Sequence, residues 1–140
     1  MALDRGTKIY AGVLLAVALG LVALALYEPP LVRDLNHRLE TDPQLAGFPY
    51  PFRVLRVENG VATMTTPRNR AVPVARVLGK LFPEVAGADP ASPRFQAFQE
   101  KLASAQKRAM AMVMKDPQVK RVQWELDRDW LMRHGIPTSP

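Results

Sequence analysis

Hydrophobic and polar positions follow a different rhythm in each part of this chain. From 9 to 27 the run IYAGVLLAVALGLVALALY contains no charge, no amide and no proline. A helix of that length rises about 28 Å, close to the hydrocarbon thickness of a bilayer, and it satisfies its own backbone hydrogen bonds, which lipid cannot do. Arg5 and Lys8 precede the run, Tyr10 and Tyr27 fall at the two interfaces, and Glu28-Pro29-Pro30 stops the helix. The competing reading is a cleaved signal peptide with Ala23-Leu24-Ala25 as its processing site. The apolar run exceeds the roughly 7–15 residues usual for such a peptide, which favours an uncleaved anchor.

Beyond the anchor the period becomes that of an amphipathic helix. Leu31, Leu35 and Leu39 recur every four residues, which predicts a helix over 31–40, closed by Thr41-Asp42-Pro43. His37 lies on its polar side. Residues 43–51 then read as a proline-rich loop carrying Phe48 and Tyr50.

The period next drops to two. Residues 52–58 and 61–66 are separated by Asn59-Gly60, the pair favoured in a two-residue type I′ turn, and this predicts a β-hairpin. A regular ladder from that turn sets Glu58 opposite Val61, Val57 opposite Ala62, Arg56 opposite Thr63 and Leu55 opposite Met64. Leu55, Val57, Ala62 and Met64 then form an apolar face, and Arg56, Glu58, Thr63 and Thr65 a polar one.

Helical spacing returns at 73–82, with Val74, Val77, Leu78 and Leu81 on one face. A connection rich in Pro, Ala and Gly covers 83–93. A long helix follows over 93–115, capped by Ser92. Phe95, Phe98, Leu102, Ala105, Ala109 and Met112 repeat in steps of three and four along it. This narrow seam suits packing on the domain's own sheet; the alternative is docking of a partner helix. A last strand is read over 119–127, with Val122, Trp124 and Leu126 on one side and Arg121, Gln123, Glu125 and Asp127 on the other. Residues 133–140 read as a tail.

The fold class is therefore α+β: one N-terminal transmembrane helix, then a small αββα(α)β domain whose three-stranded sheet contains one antiparallel hairpin. The expected organisation is a tail at 1–8, the membrane segment at 9–27, the domain at 28–132 with an inserted helix at 93–115, and the tail at 133–140.

Charge and composition narrow the function. The 140 residues hold 19 Lys and Arg against 13 Asp and Glu, a formal charge of +6. The positive residues are dispersed, which disfavours nucleic acid and leaves an anionic membrane or an acidic protein as natural partners. Cysteine is absent, so disulfides, thiolate metal sites and cysteine nucleophiles are excluded. His37 and His134 are the only bases of neutral pKa, and neither has a partner at a catalytic or metal-binding spacing. Glu125, Asp127 and Asp129 lie near Arg121 and Arg128 and read as a salt-bridged surface. No catalytic, metal or cofactor site is expected, and the chain reads as non-enzymatic.

Three candidate contact sets remain. Gly12, Ala16 and Gly20 line one face of the membrane helix, where small residues let another helix approach closely. The 95–112 seam is the second. The third is Arg53, Arg56, Arg68 and Arg70, a candidate contact for anionic lipid. Positive charge flanks the anchor almost equally on both sides. The short N-terminal tail favours an N-in topology, with the domain in the periplasm and the anchor in a bacterial inner membrane. The expected partners are the membrane itself and other membrane-protein subunits or a second copy of the chain.

The segments LNHRLETDPQLAG, FRVLRVENGVATMTTP, AVPVARVLGKL and VKRVQWEL together resemble a BON domain. Leu35, Leu39, Asp42, Leu45, Val57, Gly60, Val61 and Val122 carry the resemblance, and residues 83–117 stand outside the pattern as an insertion. The resemblance implies an envelope module that binds phospholipid or another envelope surface, without enzymatic activity of its own.

Overall fold

The structure is a computed structural model describing residues 4–138. The outermost parts of the expected terminal tails, 1–3 and 139–140, lie outside the described residues. The chain divides into two compact units, Met1–Pro30 and Leu31–Pro140.

The first unit is the helix α1, Arg5–Leu26. It starts earlier than the apolar run because Asp4 caps it, accepting a hydrogen bond from the Arg5 backbone N–H at 2.8 Å. Every residue of α1 is exposed. Among the described residues it is the one helix long and apolar enough to cross a membrane, with a mean hydropathy of 2.6.

The second unit is an α+β domain. Its elements are α2 (Pro30–Thr41), α3 (Pro43–Ala46), β1 (Val54–Glu58), β2 (Val61–Thr66), α4 (Val74–Leu81), a 3-10 turn at Pro83–Val85, α5 (Pro93–Met114), β3 (Arg121–Leu126) and α6 (Arg128–Arg133). The sheet order is β1-β2-β3. β1 and β2 form the antiparallel hairpin, and β3 joins β2 in parallel, from Val61 opposite Arg121 to Thr66 opposite Leu126. Parallel pairing requires a long crossover, and α4 and α5 supply it.

Asn59 and Gly60 adopt φ of 51° and 78°, as a type I′ turn demands. Gly60 has a second task. A Cβ there would lie 2.9 Å from Lys120 Cγ, and the Gly60 carbonyl accepts hydrogen bonds from the Lys120 and Arg121 N–H groups. The turn that joins the first two strands thus also seats the start of the third.

The register departs from the regular ladder at one residue. Glu58, Val57 and Arg56 pair as expected, but Val54, not Leu55, lies opposite Met64. Leu55 is the extra residue of a β-bulge. The bulge lets Val54 and Val57, three apart, face the same way: Val54 is buried and Val57 half-buried, while Leu55 is 43% exposed. Leu55 is therefore not part of the apolar face, because that face selects the better placed of two adjacent apolar residues.

The long helix α5 covers the sheet with its seam. Phe95, Leu102, Ala105 and Ala109 are buried, and Phe98 and Met112 are half-buried against the same core. Ala62 and Met64 of the central strand are fully enclosed. The region read as a plain loop, 43–51, contains α3, capped by the Asp42 carboxylate at the Leu45 N–H. Its aromatics fold inward: Tyr50 is buried edge-on to Phe52 and Trp130, and Phe48 packs between Phe52 and Phe82. The expected tail also starts too early. Ile136 is buried in the core, and its N–H reaches back to the Leu131 carbonyl at 2.9 Å.

Candidate functional site

The arginines expected to form one contact are distributed over different surroundings. Arg56 lies 3.5 Å from Glu125 across the open face of the sheet, both side chains half-exposed, a pair of small energetic weight. Arg53 lines a cavity of about 200 Å³ beside Leu39 and Pro51, and its backbone N–H donates to Thr65 Oγ1. Arg70 is exposed. Arg68 is half-buried and lines a different cavity, next to α5.

The 95–112 seam corrects the docking alternative. Its residues face the core, because they are the widest apolar stripe available to cover the sheet. What α5 leaves outside is a pair one turn apart, Met110 at 37% and Met114 at 42% exposure. Along α1, nothing lies within 4 Å of a Cβ added at Gly12 or Gly20, and Ala16 between them is exposed.

Two charged anchors fix α5 and the approach to β3. The Asp42 carboxylate accepts from Arg108 Nη2 at 2.8 Å and from Nε at 3.3 Å. The Arg108 hydrogen bonds hold the Asp42 carboxyl below the usual carboxylate range, against the opposing pull of burial, and raise the pKa of the guanidinium in turn. Arg38 reaches Asp116 at 3.4 Å, in the turn before β3. At the far end of that strand, the Tyr50 hydroxyl donates to Asp127 Oδ2 at 2.8 Å, while Oδ1 caps α6 at the Trp130 N–H. Burial pushes the Tyr50 phenol far above its ordinary range. His134 stacks on Trp130 with ring centres 4.0 Å apart, and its Nδ1 lies 2.7 Å from the Trp130 carbonyl. Among the described residues, no three His, Asp or Glu side chains gather to hold a metal ion.

The sheet's two edges are finished differently. On β1, the outward backbone groups of Val54 are taken by one buried side chain. Asn36 of α2 donates from Nδ2 to the Val54 carbonyl at 3.0 Å and accepts the Val54 N–H at Oδ1, 2.7 Å away. The amide thus imitates a further strand. Sequence reasoning passed over Asn36, although an amide directly after Leu35 on the apolar side of α2 was a visible signal.

On β3, Arg121 and Asp127 direct their N–H groups to Gly60 and Thr66 of the hairpin. By alternation, Val122, Trp124 and Leu126 direct theirs to the outer edge. Among the described residues, no other backbone group pairs with them. Beside this edge runs a groove of about 340 Å³ between β3 and α5. Buried Leu102, half-buried Trp124 and exposed Met110 give it an apolar lining, and Arg68, Gln106 and Lys107 a polar one. Gln106 is fixed by Thr66, whose hydroxyl donates to Oε1 at 3.2 Å.

In comparison with known proteins, no family model matches the chain, and no curated protein or solved structure is significantly similar to it.

Proposed function

We infer that this chain is a single-pass membrane protein serving as a non-enzymatic accessory, scaffold or assembly subunit of a larger membrane complex. The observation that carries this reading is α1: a fully exposed apolar helix of 22 residues, followed within four residues by a compact domain with its own core. Such a helix in water exposes a surface that only lipid or other helices will cover. The Gly12, Ala16 and Gly20 face supports helix–helix contact within the membrane. Arg5 and Lys8 with a short N-terminal tail support an inner-membrane anchor and a periplasmic domain. Extraction in mild detergent followed by native mass measurement tests the reading. A defined complex is the expected result, and a clean monomer with no co-purifying subunit overturns it.

The second reading is a BON-type envelope module that recognises anionic phospholipid. Exposed Arg53 and Arg70, neither ion-paired among the described residues, favour it. Flotation of residues 31–140 with phosphatidylglycerol vesicles separates the two: salt-sensitive binding supports lipid recognition, and no binding at low salt removes it.

A further inference from the structure

We propose that the outer edge of β3, with the groove between β3 and α5, takes an extended acidic segment of a partner protein as a fourth strand; this rests on the accessory-subunit reading and names how such a subunit is held. Three observations converge. First, the backbone groups of Val122, Trp124 and Leu126 point outward along a strand of six residues, about 20 Å of template for an added strand. Second, an added strand sends alternate side chains toward α5, where exposed Met110 and half-buried Trp124 offer an apolar surface over the buried Leu102. Third, Arg68 and Lys107 line the same groove, and neither is ion-paired with a carboxylate among the described residues. Main-chain pairing supplies affinity for any extended segment, and these two cations select an acidic one.

A second copy of this chain fits the edge less well. Pairing edge to edge would bring the copy's own Arg68 and Lys107 to the same face, cation against cation. A lipid headgroup would satisfy the cations but leave the row of backbone groups unused.

The test uses the full chain in phosphatidylcholine nanodiscs and a labelled hexapeptide whose alternate positions read Glu, Val, Glu with Thr between them, so that one face of the strand carries both the acidic and the apolar side chains, followed by fluorescence anisotropy. Two controls accompany it: the same peptide with Lys in place of Glu, and the acidic peptide N-methylated at alternate amides. The acidic peptide is expected to bind at least about tenfold more tightly than either control, and the R68E/K107E variant to reverse the preference toward the Lys peptide. Equal binding of the N-methylated peptide removes strand addition, and equal binding of the Lys peptide removes the acidic selection. Displacement of the peptide by phosphatidylglycerol, or by the chain's own concentration-dependent dimerisation, also overturns the proposal. The two readings fail separately. A native complex that survives R68E/K107E, with no discrimination among the peptides, sinks the groove and leaves the accessory subunit standing. A lone monomer that still selects the acidic peptide does the reverse.

Discussion

The two edges of the sheet start from the same problem and end differently. An edge strand presents backbone donors and acceptors that lie half out of water, and proteins close such edges against stray pairing. On β1 the closure is complete at its most buried point: Asn36 supplies one donor and one acceptor to Val54, and the bulge at Leu55 interrupts the ladder beyond it. On β3 the ladder is regular over six residues, and the outer groups carry no such cover among the described residues. The proposed strand addition would fall on the β3 side, where a groove and two cations without an ion pair among the described residues accompany the edge.

The strongest way to break this comparison is to open the closed edge. Asn36→Leu removes both partners of Val54 and leaves a buried N–H and a buried carbonyl unsatisfied. A loss of about 2–6 kcal/mol is expected, since each of the two orphaned groups costs about 1–3 kcal/mol. Chemical denaturation of the full chain in detergent measures it. A loss below about 0.5 kcal/mol, the range of ordinary surface changes, would show that Asn36 does not close the edge.

Next in size is the core position that the bulge creates. Val54 is 2% exposed. Val54→Ala is expected to cost about 2 kcal/mol through lost burial and the cavity left behind, read as a shifted denaturation midpoint at unchanged slope.

The ion pair between α5 and the start of α3 responds to pH. Arg108 depresses the Asp42 pKa in the folded chain, so the unfolded chain binds the proton first as pH falls. The stability that Asp42 contributes is complete above its unfolded value of about 3.9 and is lost as the pH drops toward the lower folded value. Asp42→Asn is expected to lower stability at neutral pH and to flatten the acid limb of the midpoint-against-pH curve below about pH 4. An unchanged acid limb would show that the pair is not what holds α5 to the α2–α3 corner.

The smallest expected effect is also the sharpest on register. Leu55→Lys should change stability by less than about 0.5 kcal/mol, because the side chain already stands in solvent. A regular ladder would put that lysine in the core at a cost of several kcal/mol. A large loss at Leu55 together with tolerance at Val54 would mean that the bulge is absent.

Much of the fold was legible from local chemistry. The length and composition of the apolar run, the Asn59-Gly60 turn, the Ser92 cap and the seam of α5 each follow from forces between near neighbours in the chain. Strict alternation over 52–58 points to a register one residue away from the observed one at Met64. With Val54 and Leu55 adjacent, period alone does not say which one faces inward; the packing of Met64 against the core does. The ordered end of the chain is hidden for a related reason, since Ile136 stands alone as an apolar residue in its segment and only the core it fills gives it meaning. The arginines looked like a set in the sequence, but the fold put them on different surfaces.

By itself, the sequence determined that an apolar helix precedes a small α+β domain, where its hairpin turns, and which face of the long helix is apolar. These properties depend on residue type and on spacing within one element. Only the tertiary structure decided that β3 runs parallel beside β2, that Asn36 seals one edge, and that Arg68, Lys107 and Trp124 share a groove at the other. Each of those joins residues far apart in the chain, Asn36 to Val54 and Arg68 to Trp124. Such pairings are settled by competition among all possible contacts for one core, not by the preference of any segment alone.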